Sequence, residues 1–162
     1  MAAVVLGMDL SLSCPAFCIA RVREGKVEVI HLSHVKTKAK DNHGTRLRMI
    51  FNHLEKLLVE NPNITHVVRE KGFSRHAITT QTLFKVVGIS DLVVNHYGYD
   101  SVAEIAPTTV KKLVAGSGRA EKEEVAEGIS KYLYTPVNFS NTDESDACGV
   151  CIAYMIEKKM LN

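Results

Sequence analysis

Four carboxylates stand where local propensity does not call for them. Asp9 closes the apolar run Val4-Val5-Leu6-Gly7-Met8, and Glu70 closes Thr65-His-Val-Val-Arg69. Asp is disfavoured in strands, and a carboxylate buried without a partner costs several kcal/mol or shifts its pKa. Asp143 and Asp146 are three residues apart near the start of an apolar helical pattern, so both project from one helix face. Each acid alone also has a simpler reading. Asp9 could bond Ser11 or Ser13 in a turn, Glu70 could be a solvated strand end, and Asn141 with Glu144 forms a capping-box pattern around Asp143. Together the four make an all-oxygen cluster that cannot stay ionised without a cation, because like charges in contact raise each other's pKa. Hard divalent ions, Mg²⁺ or Mn²⁺, match such a site. Two of them ~3.5 to 4 Å apart can activate a water and stabilise the leaving oxygen in phosphodiester hydrolysis.

An edge that gathers strand-end acids needs parallel strands beneath it. Residues 4–9 read as a strand buried on both faces, and 16–22 and 26–32 as a hairpin joined through Arg23-Glu24-Gly25. From about His43 to Glu60 the residues Leu47, Ile50, Phe51, Leu54, Leu57 and Leu58 recur at helical spacing, and Asn61-Pro62 stops that helix. A strand at 65–70 is followed by a mostly apolar helix at 76–96, with Leu83, Val86, Val87, Ser90, Val93 and Val94 facing inward. A short strand at 101–105 precedes three helices, at 107–113, about 120–133 and about 141–159. The pattern is α/β with a mixed five-stranded sheet flanked by helices. No repeat or linker divides it, so 1–162 reads as one domain.

Composition excludes some classes. The 162 residues are 46% hydrophobic and 23% charged, which argues against a largely disordered chain. No apolar run approaches the ~20 residues of a membrane span, and the start lacks the basic region of a secretion signal, so no membrane is expected and the compartment is cytoplasmic. Cys14, Cys18, Cys148 and Cys151 form two close pairs. Cys148-x-x-Cys151 sits inside a helix without the turn that aims two thiolates at one ion, so the cysteines read as buried small hydrophobes. The seven histidines show no metal-binding helical pair and read as solvated or partner-facing. The formal net charge is only +2, yet residues 21–48 carry eight Lys/Arg against three acids, a local +5. Such a segment is expected to meet the phosphates of a nucleic acid.

The ordered motifs carry a resemblance. Val-Val-Leu-Gly-Met-Asp9-Leu-Ser resembles the first strand of RuvC-type Holliday-junction resolvases, within the ribonuclease H-like superfamily, and Val-Val-Arg-Glu70-Lys-Gly-Phe73 is similar to that family's Glu-containing strand and the aromatic beyond it. Ala106-Pro-Thr-Thr-Val-Lys111 through Gly116-Ser-Gly118-Arg119-Ala-Glu-Lys122 resembles its basic DNA-contact segment, and Asp143-Glu-Ser-Asp146-Ala147 matches its Asp-x-x-Asp-Ala motif. The resemblance implies a ribonuclease H-like fold and a homodimer that resolves four-way junctions in recombination and repair, using Mg²⁺, with two ions in each active site. It implies that Asp9, Glu70, Asp143 and Asp146 bind metal, that Phe73 stacks on an unpaired base, and that Lys111 and Lys122 hold the scissile phosphate region. Arg75, Gly116, Gly118 and Arg119 fall in the flanking DNA-contact segments. It names no helicase partner.

Two positions depart from the family pattern: Leu10-Ser11 stands where Pro-Gly is common, and Lys71 where Gln is common. Neither removes a carboxylate, but both adjoin the site, so nick-sequence preference and junction selectivity do not carry over. Such divergence fits a phage-encoded member acting in a bacterial host's cytoplasm. Two other functions compete: a related nuclease acting on structured RNA or flaps, and a branched-DNA-binding module without catalysis. The long apolar helix around Leu83 to Val94 is a candidate dimer interface, with burial in its own core as the simpler alternative.

Overall fold

The central strand dictates the layers. In the computed structural model, which describes residues 2–72 and 76–161, β1 (Val4–Asp9) is apolar on both faces and buried along its length except at Asp9. It pairs antiparallel with β2 (Ala16–Arg23), which pairs antiparallel with β3 (Lys26–His34). On its other side β1 runs parallel to β4 (His66–Glu70), and β4 parallel to β5 (Ala103–Ile105), giving the order β3-β2-β1-β4-β5. The β2–β3 turn places Glu24 and Gly25 at φ +50° and +75°, the two left-handed residues of a twist-matched hairpin turn.

Each sheet face takes its own helices. Helix α1 (His43–Glu60) begins at Asn42, whose side chain accepts the Thr45 N–H at 2.8 Å, and ends where Asn61 bonds back to the Leu57 carbonyl. Its buried Ile50, Leu54, Leu57 and Leu58 pack with Leu6, Met8, Phe17 and Ile19 and with Val86, Val93 and Val94 of α2 (Ala77–His96). The opposite face is covered by α3 (Pro107–Ala115), α4 (Lys122–Tyr132) and α5 (Thr142–Glu157). Helix α5 is apolar nearly all round, with Ala147 through Met155 buried across the middle of the sheet. A helix of that kind belongs inside a core.

Close approach fixes α5 against β1. A Cβ on Gly7 would stand 2.5 Å from the Cys151 sulfur and 2.8 Å from the Ala147 carbonyl oxygen, so only glycine admits this packing. Gly128 plays the same part between α4 and α3, where a Cβ would fall 2.3 Å from the Val114 carbonyl oxygen.

Two sequence expectations need correction. By length and composition α2 is apolar enough to cross a membrane, with Lys85 and Asp91 its only Lys, Arg, Asp or Glu, so an apolar stretch of that size does exist. Its apolar residues lie on two sides: Val86, Val93 and Val94 are buried, whereas Ile78, Phe84 and Leu92 are 77%, 60% and 62% exposed. The histidines are not uniformly solvated either. Half-buried His31 and His53 both hydrogen-bond the Ser33 hydroxyl, at 2.9 and 2.8 Å, and burial lowers both pKa values. Three cysteines follow the expectation, for Cys18, Cys148 and Cys151 are free thiols buried in the core, whereas Cys14 is only partly buried.

Candidate active site

Strand register brings the first two acids together. Met8 pairs with Arg69, so Asp9 and Glu70 stand one step further, as the last residues of adjacent parallel strands. Across the sheet face, the contact of α5 with β1 carries the first turns of α5 to the same edge. One carboxylate oxygen from each of Asp9, Asp143 and Asp146 lies within 4.8 Å of the others. Glu70 is set beside this trio rather than inside it. It lines two clefts that meet at this edge, one toward α3–α5 and one toward α1–α2.

Crowding changes the protonation of the group. Burial, reinforced by the charges of Glu70, Asp146 and Asp143, pushes the Asp9 carboxyl up to about 8. Burial and the Asp146 charge push Glu70 up to about 7, against the opposing pull of the Lys111 ammonium. Asp146 is solvent-accessible, yet partial desolvation and Asp143 still raise it, while Lys122 and Lys111 oppose the shift. Carboxyls that hold protons near neutrality for want of a counter-charge suit a divalent cation, and the oxygen-only donors favour a hard ion.

A scaffold of hydrogen bonds sets the start of α5. Asn141 caps the helix by accepting the Glu144 N–H at 2.9 Å, and the Glu144 carboxylate accepts the Ser140 N–H at 2.8 Å. The expected capping pattern is therefore present, with Ser140 supplying the second N–H. The Asn141 side-chain amide also donates to the Cys14 sulfur at 3.7 Å, and the Cys14 N–H goes to the Ser11 hydroxyl at 3.0 Å.

The expected DNA-contact residues divide. Lys111 on α3 and Lys122 at the start of α4 face the acids across the cleft that Glu70 and Asp146 also line. Gly116 ends α3 in the left-handed conformation at φ +84°. The amides of Gly116, Arg119, Ala120 and Glu121 are donated within the chain, to Lys112, Ser117 and Glu124, so the Gly118 loop is a tied helix connection and the Arg119 side chain is its exposed cation. Phe73 and Arg75 lie outside the described residues.

The basic segment of residues 21–48 is not one surface. Arg21 and Arg23 pair with Glu28 at 2.5 and 2.8 Å and lie toward the β2–β3 turn, at the sheet end remote from Asp9. Lys36, Lys38, Lys40, Arg46 and Arg48 follow the β3 end that lies beside Asp9's edge. Arg46, His43, Ser11 and Ser13 line the second cleft with Glu70; the sequence placed Arg46 and His43 in the basic segment and the serines beside Asp9 without bringing them together there. The signal was available in the topology, because a helix that follows β3 must start at the edge where β3 ends.

Residues 5–154 match the sequence profile of the family described as crossover junction endodeoxyribonuclease RuvC. The chain belongs to the RuvC family. Its RuvC relatives include that of Rickettsia bellii, 28% identical over 96% of this chain and 98% of the relative, and that of Rickettsia felis, 31% identical over 93% and 95%. RuvC from T. thermophilus, solved with a Holliday junction substrate, superposes with a TM-score of 0.88 at 22% identity, covering 98% of this chain and 96% of that one. The fowlpox virus Holliday junction resolvase shares the fold more distantly, with a TM-score of 0.54 at 13% identity, covering 95% of this chain and 99% of that one. The fold is thus the ribonuclease H-like fold of RuvC, as the motif order implied.

Proposed function

We propose that this RuvC-family chain resolves four-way DNA junctions by metal-dependent phosphodiester hydrolysis. The observation that carries the reading is the convergence of Asp9, Asp143 and Asp146 on one point at the strand-end edge, with Glu70 alongside. These four would hold the metal, taken to be two Mg²⁺ ions with Mn²⁺ as a substitute. When bound, the ions would supply an activated water and stabilise the leaving oxygen. The chain's own part is positional. Register and helix packing hold the acids at fixed places, so little reorganisation is needed when substrate arrives. Lys111 and Lys122 attract the scissile phosphate and keep it from being repelled by the acids. The family motif assigns Arg119, Gly116, Gly118 and Arg75 to flanking DNA contacts and Phe73 to the crossover.

Two symmetric nicks call for two active sites related by a two-fold axis, hence a homodimer. The exposed Phe84 and Leu92 of α2, with Ile78, supply an apolar face for it. The enzyme would act where bacterial DNA lies, in the cytoplasm. Cleavage of four-way, three-way and linear duplex DNA and of structured RNA, compared at equal concentration, tests the assignment. The four-way junction should be cut fastest; equal cleavage of linear duplex would overturn the reading, and preference for RNA would transfer the site to a different substrate.

A further inference from the structure

The cleft that Glu70, Asp146, Lys111 and Lys122 line does not end at those charges. The whole cleft has a volume of about 540 Å³, and between α3, α4 and α5 it runs on into an apolar chamber walled by Val110, Val125, Ala126 and Ile129, with Glu123 also on its lining. That volume is in the range of pockets that enclose small organic groups. The hydroxyl residues Thr142 and Ser145 also line it, on the same turns of α5 that carry Asp143 and Asp146. A second chamber of about 430 Å³ continues past Ala126, Ile129 and Ser145 toward Leu133 and Phe139.

A phosphate held by Lys111 and Lys122 over the carboxylates would bring one of its two nucleosides beside the apolar lining of the same cleft. We infer that the base of a nucleotide flanking the scissile phosphate leaves the helical stack and docks in this chamber. The inference rests on the proposed junction-cleaving reading and deepens it, because the occupant is part of the same substrate. Charge matches along its length: cations where the phosphate lies, apolar wall where the base lies, and hydroxyls at the edge for its polar rim. Extruding a base is least costly where stacking is already interrupted, as it is at a branch point. The chamber is therefore a place where nick-sequence preference is set, since its size and its two hydroxyl residues meet the base directly.

The test places 2-aminopurine on either side of the scissile phosphate of a four-way junction and follows fluorescence on binding in EDTA, with a mobility-shift assay in parallel. Among the described residues no aromatic ring lines the first chamber, so a base moved there escapes stacking quench. Fluorescence should rise severalfold at one of the two positions. Ala126→Phe, at an exposed position on α4 that borders both chambers, should abolish the rise and slow Mg²⁺-dependent nicking by about tenfold, with junction affinity within about threefold because phosphate contacts dominate it. Changing the flanking base should alter the nicking rate of the wild type and leave that of Ala126→Phe unchanged. Junction binding without a rise at either position, or a rise and rate retained by Ala126→Phe, would overturn the inference while leaving the resolvase reading standing. Failure of the wild type to bind any branched DNA would overturn both.

Discussion

The Nδ1 of His34, the last residue of β3, lies 3.4 Å from Oε1 of Glu144, in the first turn of α5. Glu144 is 4% exposed and sits between Asp143 and Asp146, and its carboxylate also accepts the Ser140 N–H. The approach stops short of a hydrogen bond, since His34 Nδ1 has no hydrogen-bond partner, so the carboxylate's bonded partner is the Ser140 N–H, just before the helix turn that carries two of the four acids. Removing this buried acceptor strands the Ser140 N–H, at ~1 to 3 kcal/mol. Glu144→Ala should therefore lower the melting temperature by several degrees and raise the Mg²⁺ concentration needed for half-maximal nicking, while Glu144→Gln, which still accepts the Ser140 N–H, recovers much of both. Melting curves and a metal titration check this; an Ala variant that behaves as wild type in both would remove Glu144 from the scaffold.

The raised carboxyls make metal-free stability depend on pH in a definite direction. In the unfolded chain Asp9 and Glu70 lose their protons near 3.8 and 4.5, whereas in the fold they hold them to about 8 and about 7. Between those limits the folded state carries more protons, so the contribution of these two carboxyls to stability is full below pH 4 and is lost as pH rises toward 8. Thermal melts in EDTA should show that loss. Added Mg²⁺ should stabilise more at pH 8 than at pH 6, because at the lower pH it competes with protons. Asp9→Asn should flatten both trends, and a metal-free melting temperature that climbs from pH 6 to 8 would contradict the assignment.

The outer side of α2 should carry the dimer. Phe84 and Leu92 are two helical turns apart and more than half exposed, and large exposed apolar patches mark interaction surfaces. Sedimentation of the wild type at micromolar concentration should give a dimer, and Phe84→Glu with Leu92→Glu a folded monomer. A dimer that survives both changes would move the interface elsewhere.

The two groups of cations should behave differently toward DNA. Lys111→Ala and Lys122→Ala should each weaken junction binding and reduce the salt slope of log K by about 1 if each removes one phosphate contact. Arg21→Ala and Arg23→Ala should change neither, because both arginines pair with Glu28 toward the far end of the sheet. Binding measured at several salt concentrations separates the cases, and a reduced slope for the arginine variants would place DNA on the hairpin.

The strands and helices were legible in the sequence nearly residue by residue, because each carries one strong signal. Val4 to Met8 is an unbroken apolar run, α1 has a clean stripe ended by Asn61-Pro62, and α5 opens on a capping residue. The acids were legible as strand-end and helix-face residues. Glu70's place beside the trio was not, since strand order and twist decide it. The charge of residues 21–48 misled because sequence proximity concealed a hairpin that sends Arg21 and Arg23 one way and Lys36 to Arg48 the other. Arg46 and His43 were legible as part of that basic segment but not as neighbours of Glu70, because only the packing of α1 brings them to its second cleft. In α2, apolar count alone could not separate Val86 and Val93, which face the core, from Phe84 and Leu92, which do not.

The central claim is that the acids at the strand-end edge cut branched DNA with a divalent metal. The most direct measurement is single-turnover nicking of a four-way junction in Mg²⁺ and in EDTA, by the wild type and by Asp146→Asn, with junction affinity measured alongside. The wild type should make paired nicks in Mg²⁺ and none in EDTA. Asp146→Asn should bind the junction within about threefold of wild type, since binding rests on phosphate contacts, and nick it at least about a hundredfold more slowly. Undiminished nicking by Asp146→Asn, or equal nicking in EDTA, would contradict the account.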